Sequence, residues 1–216
     1  MSSRAMRWMV GRVPNLTDRR LQAFCASIVP LGEPVLVRVH SRSDAALNEC
    51  LASAEAQVRD AGGSVAFGWR LTEFVATYFE AEFHAVWRQP SGGLLDVGRP
   101  PAPFPRIAFL ADPGLVYRGC QIDNHYAPLS SHSAVAELIA ALHDRYEFIN
   151  RGERAAMHGR IVVDGAEADE VVAIDDRIRV ALSQLGRRPE IQRAPCLCGS
   201  GLALQSCCVS RSRPRS

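Results

Sequence analysis

Four of the seven cysteines in this 216-residue chain sit together near its C-terminus, as Cys196-Leu197-Cys198 and the adjacent pair Cys207-Cys208. Four thiolates satisfy the tetrahedral preference of Zn²⁺, and structural zinc sites are closed by four protein ligands in this way. Gly199 and Gly201 follow the first pair and give the backbone the freedom it needs to wrap a metal. A segment this short has almost no core of its own, so bound metal supplies its folding free energy. Disulfide pairing is the competing reading. Neighbouring cysteines bridge each other only under strain, and an odd number of cysteines argues against a full disulfide framework.

The rest of the sequence agrees with a reducing compartment. Residues 1–12 carry arginines but no apolar run of signal-peptide length, and no stretch approaches the roughly 20 apolar residues of a membrane span. The expectation is a cytoplasmic protein with no membrane partner. Every basic residue is arginine, yet the formal net charge is only +2, so nothing in the overall electrostatics points to nucleic acid. Arg187, Arg188 and Arg193 before the hook, and Arg211, Arg213 and Arg215 after it, could locally contact RNA phosphates. A solvated basic tail is the simpler reading.

The run Pro195-Cys196-Leu197-Cys198-Gly199-Ser200-Gly201, closing on Cys207-Cys208, resembles the SEC-C motif. That motif ends the SecA preprotein-translocase motor and is appended to many otherwise unrelated bacterial proteins. The likeness covers about residues 194–209. It implies a zinc-binding hook that docks a protein partner, with Cys196, Cys198, Cys207 and Cys208 as metal ligands. Between Gly201 and Cys207 the motif usually carries lysines and an aromatic residue; this chain has Leu202, Ala203, Leu204, Gln205 and Ser206.

Upstream, periodicity divides the chain into helices and strands. Residues 17–27 read as a short helix with Thr17 and Asp18 as caps and Leu21, Phe24 and Cys25 on one face, Cys25 being a core thiol. Residues 35–39 read as a strand, and residues 43–60 as an amphipathic helix bearing Cys50 and ending before Gly62-Gly63. Two strands, 64–74 and 77–88, and a turn at 89–93 lead to a third at 94–97; another follows at 107–110. Residues 111–132 read as a loop holding Cys120, His125 and His132, and helices follow at 133–149 and 167–185.

This order brings three chemically capable residues onto defined elements. If residues 89–93 form a hairpin turn, His84 and Asp96 lie on neighbouring strands and can face each other, while Cys50 lies near the start of a helix. A cysteine attacks as its thiolate, favoured by an imidazolium and a helix N-terminus, and a third polar group orients the imidazole. Whether Cys50 meets that condition depends on the cap. Capping by Asn48 puts it in the first turn; capping by Ser43 buries it two turns inside. A core cysteine, a structural strand histidine and a turn aspartate are the plain alternatives.

The order cysteine on a helix, then histidine and acid on strands, resembles papain-like and transglutaminase-like enzymes. Cys50, Gly62-Gly63, Gly68-Trp69, Glu82-Phe83-His84-Ala85-Val86-Trp87, Gly93-Leu94-Leu95-Asp96-Val97 and Phe109-Leu110-Ala111-Asp112 also look like a group of bacterial proteins, some with SEC-C tails. That likeness covers about residues 48–149. It implies Cys50 as nucleophile, His84 as general base and acid, and Asp96 as the orienting group of a thiol hydrolase or acyltransferase acting on an amide or thioester. A non-catalytic zinc adapter that binds a protein is the alternative, and RNA or ribosome contact is a third. The expected architecture is α+β, helices packed on an antiparallel sheet. The expected divisions are an enzyme-like domain at 1–150, a helical extension at 151–186 and the hook with its tail at 187–216.

Overall fold

The computed structural model describes residues 11–100, 104–156, 161–194 and 202–206. Cys196, Cys198, Cys207 and Cys208 lie outside these residues. The chain is α+β and divides into two compact units. One is formed by Val13–Thr72 and Phe79–Tyr117; the other takes the described residues up to Arg12, Glu73–Tyr78 and the chain from Arg118 onward.

The first unit is built around a closed five-stranded barrel. Its strands are β1 (Val35–Val39), β2 (Ser64–Phe74), β3 (Tyr78–Arg88), β4 (Leu94–Asp96) and β5 (Arg106–Ala111). They run in the order β2-β5-β1-β4-β3, and pairing of β2 with β3 closes the ring. The antiparallel sheet expected from sequence is therefore corrected in two respects: the sheet closes on itself, and β1 pairs with β4 in parallel, Val39 opposite Asp96. Closure removes the free edges that an open sheet of long strands would expose.

Alternation on the strands sorts residues between the two faces of the barrel. Val37, Ala66, Val86, Ile107 and Phe109 form one buried cluster, with Leu94 and Val39 against it. A second cluster, of Ala54, Ala85, Trp87 and Val97, seats helix α2 (Cys50–Ala61) on the sheet through Leu51 and Val58. Helix α1 (Arg19–Ile28) is capped by Asp18, whose side chain accepts from the Arg20 N–H, and buries Leu21, Phe24 and Cys25; Phe24 stacks on Phe79 at 6.4 Å. Cys25 is the core thiol its helical position predicts, and burial pushes its pKa up to about 11.

Glycine permits a very close backbone approach in this barrel. A Cβ on Gly68 would lie 2.2 Å from the Leu110 carbonyl oxygen and 2.7 Å from Cζ of Phe109, so only hydrogen fits where β2 meets β5.

The start of α2 differs from the sequence expectation, and the difference decides what Cys50 can do. Residues 43–49 are not helical. Leu47 bridges Arg99 in parallel and the Asn48 N–H donates to the Arg99 carbonyl at 3.3 Å, which pins this segment beside the chain leaving β4. Asn48 then adopts φ 63°, a left-handed conformation that asparagine tolerates better than most residues. The helix therefore begins at Cys50, with Glu49 as its N-cap.

In the other unit, β6 (His125–Pro128) lies within the stretch expected to be entirely loop. Helices α3 (Ser133–Ile149) and α4 (Gly165–Leu185) pack together, burying Val135, Leu138, Ala181, Leu182 and Leu185 with Tyr78 and Ile191 of α5 (Pro189–Gln192). His132 is the N-cap of α3: its Nδ1 accepts from the Ala134 N–H at 3.1 Å. It serves the start of the helix rather than being an ordinary residue of the expected loop.

Candidate functional site

The structure brings Cys50, His84 and Asp96 together within the barrel unit. The β3–β4 hairpin makes one half of the arrangement. Trp87 pairs with Leu95 and Arg88 with Leu94, and the same register carried one residue on sets Asp96 diagonally across from His84. His84 Nε2 and Asp96 Oδ2 are 3.1 Å apart in a buried hydrogen bond. The second carboxylate oxygen, Oδ1, accepts from the Gly98 N–H at 3.0 Å, so the carboxylate is held at both ends. His84 is 7 % exposed and Asp96 1 % exposed, which leaves little water to compete for either.

Helix α2 supplies the other half. Cys50 is its first residue, where unpaired N–H groups and the helix dipole favour a negative charge. With Nε2 taken by the carboxylate, Nδ1 is the ring nitrogen left for the sulfur, and the Cys50 and His84 side chains are hydrogen-bonded. The Ala85 backbone N–H also donates to the sulfur. That amide is available because β4 ends at Asp96.

The two titrating groups move in opposite directions. Burial alone would raise the Cys50 pKa, but the hydrogen bond and charge of His84, helped by the Ala85 amide, outweigh it and the thiol ends below its ordinary value. Burial alone would lower the His84 pKa. Hydrogen bonds to Asp96 and Cys50, with the charges of both, raise it instead to about 9. The thiolate–imidazolium pair therefore exists from the lowered thiol pKa up to about pH 9.

Gly98 lies where no side chain fits comfortably. A Cβ there would come within 3.3 Å of both Asp96 Oδ1 and the Cys50 Cα. Sequence alone assigned this position no role in the site, although a glycine two residues past the acid marks it. It also missed the Ala85 amide, which only the short length of β4 exposes.

No protein-family model matches the chain, and no curated protein or solved structure is similar enough to count as a match.

Proposed function

We propose that the protein is a thiol hydrolase or acyltransferase acting on an amide or thioester, with Cys50 as nucleophile. The observation that carries this reading is the contact of a first-turn helical cysteine with a histidine that is itself held by a buried carboxylate. The Cys50 thiolate attacks the substrate carbonyl carbon, and the C=O electron pair moves onto oxygen. As that tetrahedral species collapses, the imidazolium of His84 gives its proton to the departing amine or thiolate, leaving an acyl-Cys50 thioester. Neutral His84 then takes a proton from water or an acceptor nucleophile. Attack on the thioester releases the acyl product and restores the thiolate and the imidazolium. Asp96 keeps the ring oriented and stabilises its charged form throughout. Cysteine on a helix followed by histidine and acid on strands is also what makes the chain resemble papain-like and transglutaminase-like enzymes.

Iodoacetamide labelling of the folded protein, with each thiol resolved by mass mapping, tests this. Cys50 should alkylate at pH values below the ordinary thiol range, at a rate that falls only once the pH drops through its lowered pKa. Buried Cys25 should remain unmodified, and exposed Cys120 provides an accessible reference thiol in the same molecule. Cys50 left unmodified from pH 6 to 9 would remove the basis of the reading.

The C-terminal hook belongs to the proposal on sequence grounds alone, because its cysteines lie outside the described residues. Thiolates of Cys196, Cys198, Cys207 and Cys208 would hold one Zn²⁺, which stabilises a small docking module for a protein partner. No catalytic step depends on it. Protein purified from zinc-replete medium under reducing conditions should carry one equivalent of zinc by elemental analysis, and a Cys196→Ala/Cys198→Ala variant should lose it. Near-zero metal in the unmodified chain, or full retention in the variant, would overturn the assignment. Among the described residues no helix is long and apolar enough to cross a membrane.

A further inference from the structure

Three aromatic rings lie together in the barrel unit and none is needed to hold the triad. Phe67 of β2 and Phe83 of β3 have ring centroids 5.9 Å apart; Tyr117 stacks on Phe83 at 5.1 Å and approaches Phe67 at 6.5 Å. All three are only half-buried. Stacked aromatic rings that keep part of their surface in water offer apolar area to an incoming group.

Their position ties them to the thiol. Phe67 and Cys50 both pack on the cluster formed by Ala54, Ala85, Trp87 and Val97. Phe83 stands two residues before Ala85, whose amide bonds the Cys50 sulfur, and one before His84. Tyr117 follows a turn at Asp112. The Asp112 N–H donates to the Phe67 carbonyl at 3.1 Å, its Oδ2 accepts from Trp69 Nε1 at 3.1 Å, and its Oδ1 accepts from the Gly114 N–H at 3.0 Å. The chain leaving β5 is thereby turned so that Tyr117 lies against the two phenylalanines.

From this arrangement we infer that Phe67, Phe83 and Tyr117 form the subsite for the acyl side of the substrate, selecting an aromatic side chain next to the carbonyl that Cys50 attacks. The inference rests on the thiol-enzyme reading and adds its substrate class: amides or thioesters of aromatic acyl groups, such as a peptide bond following phenylalanine or tyrosine. Ring-on-ring contact and burial of the aromatic side chain supply the selectivity, while small side chains leave the rings wet.

Irreversible probes test the subsite on the full chain without a known substrate. N-acetyl-phenylalanyl chloromethyl ketone and its alanyl analogue react in the same way: the Cys50 thiolate displaces chloride from the methylene carbon and forms a thioether. The phenylalanyl reagent should modify Cys50 about tenfold faster or more. In Tyr117→Ala that ratio should fall towards one, with iodoacetamide, which has no side chain to place, reacting as in the unmodified protein. Phe83→Leu keeps apolar volume but not the ring, and should also lower the ratio. Equal rates for the two ketones, or a preference untouched by both variants, would overturn the subsite while iodoacetamide labelling left the thiol reading standing. A Cys50 inert to all three reagents would overturn both.

Discussion

Replacing His84 by alanine is expected to move the rise of Cys50 alkylation with pH to higher pH. In the native protein the imidazolium stabilises the thiolate, so the reactive form persists to lower pH than in an ordinary thiol. Without the ring, burial of the sulfur is no longer offset, and Cys50 becomes a thiol of ordinary or higher pKa. Below that pKa the thiolate fraction grows tenfold per pH unit, so the variant's rate should rise roughly 100-fold between pH 6 and pH 8. Slope is the better readout than absolute rate, because a less acidic thiol gives a more nucleophilic thiolate and partly masks the loss at any single pH. Asp96→Asn should act in the same direction on the alkaline side. His84 would lose the partner that raises its pKa, so the imidazolium that supports the thiolate should be lost at lower pH than in the native protein. Iodoacetamide rates measured for the three proteins across pH 5.5–9.5 decide the matter, and superimposable profiles would mean that His84 does not act on the sulfur.

Gly68→Val is expected to have the largest effect on stability. The smallest side chain at this position already meets the Leu110 carbonyl oxygen at 2.2 Å and the Phe109 ring at 2.7 Å, with the Ala111 Cα at 3.0 Å. Phe109 is fully buried among Val37, Ala66, Val86 and Ile107, so it cannot swing away without opening a cavity. Either the β2–β5 ladder parts or the barrel interior repacks. Both routes should cost about 4 kcal/mol or more, against a total stability of roughly 5–15 kcal/mol for a typical domain. Urea unfolding followed by tryptophan fluorescence should show a large fall in midpoint, or a protein unfolded without denaturant. A midpoint equal to that of the native chain would contradict the close approach of β2 to β5.

The elements with strong periodicity were legible before the structure. The strands at 35–39, 64–74 and 94–96 and the helix at 133–149 fall where alternation or a helical repeat, closed by turn residues, places them. Pairing was less accessible. The hairpin between β3 and β4 is local and follows from the turn at 89–93, whereas the parallel β1–β4 pair and the β2–β5 pair join segments with no shared sequence signal. The start of α2 failed for the same reason. Ser43 to Glu49 has acceptable helical spacing, yet a bridge from Leu47 to Arg99 and the left-handed Asn48 override it, and both depend on a strand far along the chain. The three site residues could be named from sequence because their types and order are informative. The Ala85 amide and the space kept by Gly98 could not, since each arises from where a neighbouring strand happens to stop.

Because α2, β3 and β4 each contribute one member of the triad, an acidic, reactive Cys50 exists only while all three elements are docked. In the unfolded chain the same residue is one ordinary thiol among seven. The site is therefore a built-in gauge of barrel integrity. Below the ordinary thiol pKa, labelling of Cys50 marks molecules that are folded, the reverse of the usual footprinting rule in which modification of a cysteine marks those that have opened.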